Sequence, residues 1–322
     1  MRFAIVGTNF ISDKFCDAAR RVAGAETVAV YSRAESTGRT FAEKHGIKRV
    51  YVDYGEMLRD EEIDAVYIAS PTMCHAEQTV AALNAGKNVL CEKMISAVYP
   101  EFLEMKAAAE RSGKHLIEAM RPDFDEILLS VANEVKKLGR VVSATLDYCQ
   151  YSSRYDRFLA GEIMNAFDPR MKNSALADIG IYPLHYAVSL FGSPAAILSE
   201  GKLLHNGFLG SGSSTLRYDG FDASVIYSKT HESENVSEII CERGVIRFDK
   251  INEPTYYSLE IFGNGTEVHY AREGSSNMAS EIEEFIRICE GESKRGDELL
   301  SVTEKTMLAV DEIYRSLGIK FD

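Results

Sequence analysis

The sequence lacks the features of a membrane or secreted protein. It contains no apolar run of the roughly 18 residues that a membrane-spanning helix needs. The N-terminus has neither the apolar length nor the cleavage site of a secretion signal. The 6 cysteines are scattered without a C-x-x-C pair, which disfavours a zinc site or a disulfide framework. We therefore expect a soluble cytoplasmic protein with reduced thiols and no bound metal.

Basic residues are also scarce relative to acidic ones. The 36 Lys and Arg against 49 Asp and Glu give a formal charge of −13. Such a surface repels nucleic acids and anionic membranes, so neither is an expected partner. An anionic cofactor remains compatible, because a local group of backbone N–H donors or one Arg can hold it. The 322 residues are enough for two domains.

Strand and helix signals alternate over the first 120 residues. Short apolar runs, such as residues 3–6 and 65–69, are each followed by a segment with helical spacing. Several of those segments end at a glycine. This order predicts an α/β domain, a doubly wound parallel sheet of the Rossmann type, over residues 1–120.

After Pro122 the pattern changes to consecutive strands. Helices are expected at residues 178–191 and 302–317, the latter opened by a capping box of Ser301 and Glu304. We interpret the Gly- and Ser-rich residues 210–214 as a flexible hairpin loop. The pattern predicts an α+β domain on a mostly antiparallel open sheet over residues 121–322. Hairpin turns are expected at Asp219-Gly220, Arg243-Gly244 and Asn264-Gly265.

The loop after the first strand is a candidate phosphate-binding loop with only one of the usual three glycines. Against G-x-G-x-x-G, Gly7 is present, Asn9 takes the second position and Ser12 the third. Asn tolerates left-handed backbone geometry, and Ser is small enough for close helix packing. The residues expected to contact the cofactor here are Gly7, Thr8, Asn9, Phe10 and Ile11.

The end of the second strand lacks the acid that binds the ribose of NAD. Instead, Ser32 and Arg33 follow Tyr31. A hydroxyl and a guanidinium suit a 2′-phosphate, which favours NADP over NAD. Alternatively, Arg33 is simply a solvated loop residue.

Three further motifs occur in a characteristic order. They are Ser70-Pro71 with His75, then Cys91-Glu92-Lys93-Met94, and then the segment from Asp178 to His185. With the N-terminal loop, this combination resembles the Gfo/Idh/MocA oxidoreductase family over nearly the whole chain. It is most similar to the branch with tyrosine at the acid position, which includes glucose–fructose oxidoreductase, xylose dehydrogenase and dimeric dihydrodiol dehydrogenase.

The resemblance implies roles for the residues after the fourth and fifth strands. Lys93 matches the catalytic lysine of the family's E-K-P motif, whereas Met94 replaces its proline. A lysine at the carboxyl end of a parallel strand also faces the crevice where such sheets bind ligands. An exposed surface lysine is the alternative. The implied cofactor contacts are Ser70, Pro71, His75, Glu92 and Lys93.

Asp178, Tyr182 and His185 have the spacing of one helix face. We interpret Tyr182 as the general acid–base, with the Lys93 ammonium lowering its pKa from the ordinary value of about 10. Lys93 also donates to the substrate oxygen, and Asp178 orients the substrate or the lysine. His185 is a second candidate, although a buried helix residue is the alternative.

Two more residues complete the expected substrate site. Tyr151 lies in a loop whose hydrogen-bonding groups suit a polyhydroxylated substrate or a solvated surface equally well. Arg121 follows the last Rossmann strand and either contacts the substrate or forms a structural ion pair.

The expected function is an NADP-dependent oxidoreductase. It would transfer hydride between the nicotinamide and a carbon of a sugar, polyol or related hydroxy or carbonyl compound. The alternative is a non-catalytic NADP-binding sensor or regulatory protein. The resemblance also implies a homodimer or homotetramer formed through the second sheet.

Overall fold

The computed structural model describes residues 1–321, which form two compact units. The first unit contains Met1–Ser96, Pro100–Met120 and Met278–Ser301, and the second contains Ala97–Tyr99, Arg121–Asn277 and residues 302–321. The segment Met278–Ser301 lies with the N-terminal residues, although the expected division placed it in the second domain. The ring of Phe285 packs 5.9 Å from that of Phe3, both fully buried, which explains this assignment.

The first unit is built on a parallel sheet of six strands in the order β3-β2-β1-β4-β5-β6. The order reverses at β1, and ligands of such sheets bind where the strand order reverses. The strands have continuous apolar sequences because both faces of the sheet are covered by helices. The predicted Rossmann fold is confirmed. The strands are β1 (Arg2–Val6), β2 (Glu26–Tyr31), β3 (Arg49–Tyr51), β4 (Ala65–Ile68), β5 (Asn88–Glu92) and β6 (Leu116–Ala119).

Helices connect these strands as the alternating pattern predicted. Most end at or just before a glycine, such as Gly46, whose φ of 72° is the left-handed geometry that closes a helix. The helices in this part of the chain are α1 (Phe10–Ala19), α2 (Glu35–His45), α3 (Tyr54–Leu58), α4 (His75–Asn84) and α5 (Tyr99–Ser112).

The second unit contains an eight-stranded sheet in the order β14-β13-β12-β11-β7-β10-β9-β8. All neighbouring strands are antiparallel except β7 and β10, which confirms the predicted mostly antiparallel sheet. The strands are β7 (Val141–Cys149), β8 (Ala196–Leu203), β9 (Leu209–Tyr218), β10 (Phe221–Ser228), β11 (Val236–Cys241), β12 (Gly244–Asp249), β13 (Tyr256–Ile261) and β14 (Gly265–Tyr270).

The three expected hairpin turns join β9 to β10, β11 to β12 and β13 to β14. The flexible loop expected at residues 210–214 is wrong, because these residues lie inside β9. A Cβ at Gly212 would lie 2.5 Å from the Tyr227 phenol oxygen, and one at Gly180 would lie 2.6 Å from the Tyr227 ring. The glycines therefore make room for a buried ring rather than providing flexibility.

The later helices are α6 (Glu126–Lys137), α7 (Tyr155–Leu159), α8 (Ile181–Phe191), α9 (Asn277–Cys289) and α10 (Gly296–Ser316). The capping box expected at Ser301 is wrong, because α10 begins earlier, at Gly296. Glu304 instead accepts a hydrogen bond from the Tyr99 hydroxyl at 3.2 Å. A π-helical turn, Leu176–Gly180, precedes α8, so Asp178 lies in that turn and not in the α-helix as predicted. Within residues 1–321, no helix is long and apolar enough to span a membrane.

Candidate functional site

Gly7 forms the tight turn at the end of β1. Its φ is 100°, a left-handed geometry that favours glycine. A Cβ at this position would lie 2.7 Å from the carbonyl oxygen of Ala69, at the end of β4. Both the conformation and the close approach therefore require glycine, as the sequence predicted for this position.

Asn9 caps the helix that follows this turn. Its backbone is extended, with φ −92° and ψ 179°, so the tolerance of Asn for left-handed geometry is not used here. The side-chain oxygen accepts hydrogen bonds from the N–H of Ile11 at 3.0 Å and of Ser12 at 3.3 Å. Its amide nitrogen donates to the Ala69 carbonyl at 2.7 Å. Asn9 thus fixes both the start of α1 and the loop after β4.

The surroundings of this loop are compatible with a pyrophosphate. The N-terminus of the ten-residue helix α1 carries a partial positive charge, and Asn9 already accepts from the N–H groups of Ile11 and Ser12. Ser12 is fully buried, as its small size predicted, whereas Phe10 is 66% exposed. Thr8 and Ile11 are half-buried.

Ser32 and Arg33 form the turn between β2 and α2. The Ser32 N–H donates to the Tyr51 carbonyl at 3.1 Å, which fixes the turn on the sheet. Arg33 is exposed. The acid nearest in sequence, Glu35, accepts a hydrogen bond from Arg39 Nε at 2.9 Å, which partly neutralises its charge. The turn therefore presents a cation suited to an anionic group.

His75 holds together the loops that follow β4 and β5. Its Nε2 lies 2.9 Å from the Ser70 carbonyl oxygen and its Nδ1 lies 3.0 Å from that of Met94. The ring is 1% exposed, and burial lowers the pKa of His75. Both ring nitrogens thus face carbonyl oxygens of the protein, so His75 shapes the loops instead of offering a nitrogen to a cofactor. Pro71 precedes the short helical turn Thr72–Cys74, and the Ser70 hydroxyl donates to Gln78 at 2.6 Å.

Lys93 directly follows β5, as the sequence predicted. The buried Glu92 carboxylate accepts from the Tyr67 hydroxyl at 2.6 Å and from the Lys93 N–H at 3.2 Å. The Lys93–Met94 peptide bond is cis. Beyond it, the Ile95 N–H donates to a buried Glu118 carboxylate at 2.9 Å. The backbone on both sides of Lys93 is therefore held by carboxylates, and the lysine side chain is half-buried.

In the second unit, Tyr182 is paired with Arg121. The guanidinium Nη2 donates to the phenol oxygen at 2.7 Å, and the cation also lies 5.5 Å from the ring centroid. Arg121 is 12% exposed and lies 3.9 Å from the Glu253 carboxylate. The structure thus gives Arg121 a contact to the proposed acid–base that the sequence did not predict, together with the ion pair that it left open.

Asp178 forms an ion pair that the sequence did not predict. Its Oδ2 lies 2.7 Å from the ammonium nitrogen of Lys229. The Lys229 side chain is 4% exposed, whereas that of Asp178 is 38% exposed. The Lys229 ammonium is therefore buried, whereas the Asp178 side chain that it contacts remains accessible to small molecules.

The His185 ring is fully buried, so neither of its nitrogens is accessible to a substrate. Its Nε2 lies 2.8 Å from the Asp123 carboxylate, and its Nδ1 lies 3.3 Å from the Thr306 hydroxyl. The direct substrate contact expected for His185 is therefore not supported, and the buried alternative describes its position. Tyr151, in contrast, is 37% exposed, and its hydroxyl donates to Asp156 at 2.6 Å.

Comparison with known proteins identifies two matching domain families. Residues 1–120 match an oxidoreductase family with an NAD-binding Rossmann fold, and residues 133–247 match the GFO/IDH/MocA C-terminal domain. The scyllo-inositol 2-dehydrogenase (NADP(+)) IolU of Bacillus subtilis is 37% identical over 100% of this chain and 98% of its own length. The D-xylose 1-dehydrogenase (NADP(+)) 2 of Haloferax volcanii is 28% identical, covering 98% of this chain and 97% of its own.

A solved structure shows the same fold. It is KijD10, a 3-ketoreductase from Actinomadura kijaniata in complex with NADP and TDP-benzene. The TM-score is 0.82 at 22% identity, with 96% of each chain covered.

The two family models and the related dehydrogenases show an oxidoreductase that uses a nicotinamide dinucleotide. The chain belongs to the Gfo/Idh/MocA family, which confirms the resemblance predicted from its motifs.

Proposed function

We propose that this chain is an NADP-dependent dehydrogenase or reductase that acts on a hydroxyl or carbonyl carbon of a sugar or polyol. The observation that carries the proposal is the Tyr182 phenol, which is 3% exposed and held 2.7 Å from the Arg121 guanidinium, one turn along from Asp178. A general acid–base for hydride chemistry needs a positioned proton on oxygen, and this arrangement supplies one.

NADP fits the residues present in the first unit. The Gly7 turn and the start of α1 would hold the pyrophosphate, and Ser32 with Arg33 would hold the 2′-phosphate. When bound, NADP supplies the hydride acceptor or, in its reduced form, the donor. The NADP(+) dehydrogenases of Bacillus subtilis and Haloferax volcanii support this choice of cofactor.

The chain's own side chains supply the remaining chemistry. Tyr182 exchanges a proton with the reacting oxygen of the substrate, and the always-protonated Arg121 stabilises negative charge on the phenol oxygen. The resemblance to the family assigns the Lys93 ammonium as a further donor to substrate. Asp178 accepts a hydrogen bond from a neighbouring substrate hydroxyl, which favours substrates with adjacent hydroxyl groups.

The proposed substrate class is a polyhydroxylated compound. The names of the related inositol and xylose dehydrogenases support this class. The exposed Tyr151 with Asp156 provides a further polar contact surface. A non-catalytic sensor would not require the exposed Asp178 carboxylate one turn from the Tyr182 phenol, whose oxygen accepts from a guanidinium.

The proposal is tested by mixing the protein with a panel of substrates and following absorbance of the reduced cofactor. The panel contains cyclic polyols and aldoses with NADP, and the corresponding ketones and dicarbonyls with NADPH. Turnover of at least one compound is expected. Tight NADPH binding without turnover of any compound would support the sensor interpretation instead.

Replacing Arg33 with Ala is expected to weaken NADPH binding by roughly 10- to 100-fold, because a charge-assisted hydrogen bond to phosphate is lost. The affinity for NADH should change little. Fluorescence titration of both cofactors measures this, with Arg39→Ala as a control for general loss of charge on α2. Equal weakening for NADH and NADPH would contradict the assignment of Arg33 to the 2′-phosphate.

We also propose a homodimer or homotetramer formed through the second sheet, in a cytoplasmic protein. Val225, Tyr227 and Ile239 are buried on one face of the sheet, whereas Ile226 and Ile240 are half-buried on the opposite face. The opposite face thus carries apolar residues suited to a second copy. The six cysteines are free thiols, which suits a reducing compartment. Light scattering of the purified protein measures the oligomeric state.

A further inference from the structure

Lys229 is a buried lysine immediately after β10. Its ammonium lies 2.7 Å from Asp178 Oδ2 and donates to the Ala166 carbonyl at 2.9 Å. The ammonium also lies 4.8 Å from the centroid of the Phe167 ring and 5.4 Å from that of Phe208. Two hydrogen-bond acceptors and two aromatic rings therefore surround one cation, which is the environment that a desolvated ammonium requires.

The backbone of Lys229 is fixed as firmly as its side chain. Its N–H donates to the Gly210 carbonyl at 2.9 Å, and its carbonyl accepts from the Ser152 N–H at 3.0 Å. The rings of Phe167 and Phe208 belong to a buried aromatic cluster with Phe158. Lys229 thus connects the loop after β7, the turn that contains Ala166 and the π-helical turn that contains Asp178.

The position of the charge determines what Asp178 can do. Removing an ammonium from water is costly, and a carboxylate partner offsets that cost only in a fixed geometry. The ion pair therefore holds Asp178 in one orientation, while 38% of the Asp178 side chain stays exposed. We propose that Lys229 is a positioning residue for substrate binding, which orients Asp178 toward a substrate hydroxyl. This inference rests on the proposed function, because it assigns Asp178 to substrate binding.

The test compares Lys229→Met, which removes both the charge and the donor, with Lys229→Gln, which keeps a donor for Ala166. Both variants are expected to raise KM for the substrate by about 10- to 100-fold, since a charge-assisted hydrogen bond becomes misaligned in the bound and transition states alike. The fall in kcat should be much smaller. NADPH affinity should be unchanged, and Lys305→Met, an exposed lysine on α10, should behave as the wild type.

A double-mutant cycle shows whether Lys229 acts through Asp178. Asp178→Asn alone should raise KM by a similar factor. The double variant Asp178→Asn with Lys229→Met should have a KM no higher than that of either single variant. Additive increases in KM in the double variant would overturn the inference. A wild-type KM in Lys229→Gln would also overturn it, because the lysine would then merely hold the Ala166 turn. Wild-type KM in Lys229→Met would overturn it as well.

One measurement needs no lysine variant. Asp178→Asn leaves the buried ammonium without its carboxylate, so its Tm should fall below that of the wild type; an unchanged Tm would contradict the coupling. The two proposals fail differently. Absence of turnover by the wild-type chain refutes the proposed function, whereas an active wild type with an unaffected Lys229→Met refutes only the role of Lys229.

Discussion

Replacing Tyr182 with Phe is expected to lower kcat by about 10²- to 10⁴-fold, the usual contribution of a positioned general acid–base. The substitution removes only the phenol oxygen, so the ring keeps its packing 5.8 Å from Tyr148. The substrate KM and the Kd for NADPH should change little, because the proton transfer matters in the transition state. Steady-state kinetics and a fluorescence titration of NADPH measure the three constants.

Tyr186→Phe is the matched control for this experiment. Tyr186 lies on the same helix, is also buried, and donates its hydroxyl to the Leu128 carbonyl at 2.8 Å. Its loss should reduce stability by about 1 kcal/mol without changing kcat. Wild-type kcat in Tyr182→Phe, or an equal loss in Tyr186→Phe, would contradict the role of Tyr182.

The Tyr182→Phe variant also leaves Arg121 without its phenol acceptor. Arg121 is 12% exposed, so loss of the partner costs on the order of 1–3 kcal/mol of stability. A lower Tm is therefore expected, and activity is measured well below that temperature. This separation matters because a partly unfolded enzyme would imitate a loss of catalysis. Unchanged NADPH affinity with a low kcat identifies the chemical step as the one affected.

The sequence predicted the fold because its signals are local. Apolar runs, helical spacing and glycines at helix ends suffice to predict β1–β6 and their helices in their order along the chain. The Gly- and Ser-rich residues of β9 misled the prediction, since turn composition was taken as flexibility. The glycines are there because the ring of Tyr227 lies against Gly212 and Gly180. That contact joins residues distant in sequence, so no local pattern indicates it.

The same limit applies to the functional residues. The substitution of Asn9 for glycine was explained by backbone tolerance, but its side chain caps α1 and contacts Ala69, the residue just after β4. The ion pair of Lys229 with Asp178 joins a strand end to a π-helical turn. A charged residue directly after a buried strand, as Lys229 is after β10, was the one available signal. Its partner could be identified only from the structure.

Lys93→Met is expected to lower kcat/KM by about 10²- to 10³-fold, the usual cost of removing one donor that stabilises developing charge on oxygen. Met preserves the length and much of the apolar volume of the side chain. The backbone should remain in place, because Glu92 and Glu118 hold it through the N–H groups of Lys93 and Ile95. The Kd for NADPH should therefore stay within about threefold of the wild-type value, a change of less than 1 kcal/mol.

Two companion variants make the Lys93 experiment decisive. Lys48→Met removes a charge from an exposed position of the same unit and should leave kcat/KM unchanged. Lys93→Arg retains the charge but replaces a compact ammonium with a planar guanidinium, so it should recover only part of the activity. Full recovery would mean that a guanidinium replaces the ammonium as both charge and donor, so that the compact geometry of the lysine does not matter. A loss confined to NADPH affinity would make Lys93 a cofactor-binding residue, because kcat at saturating cofactor would then equal that of the wild type.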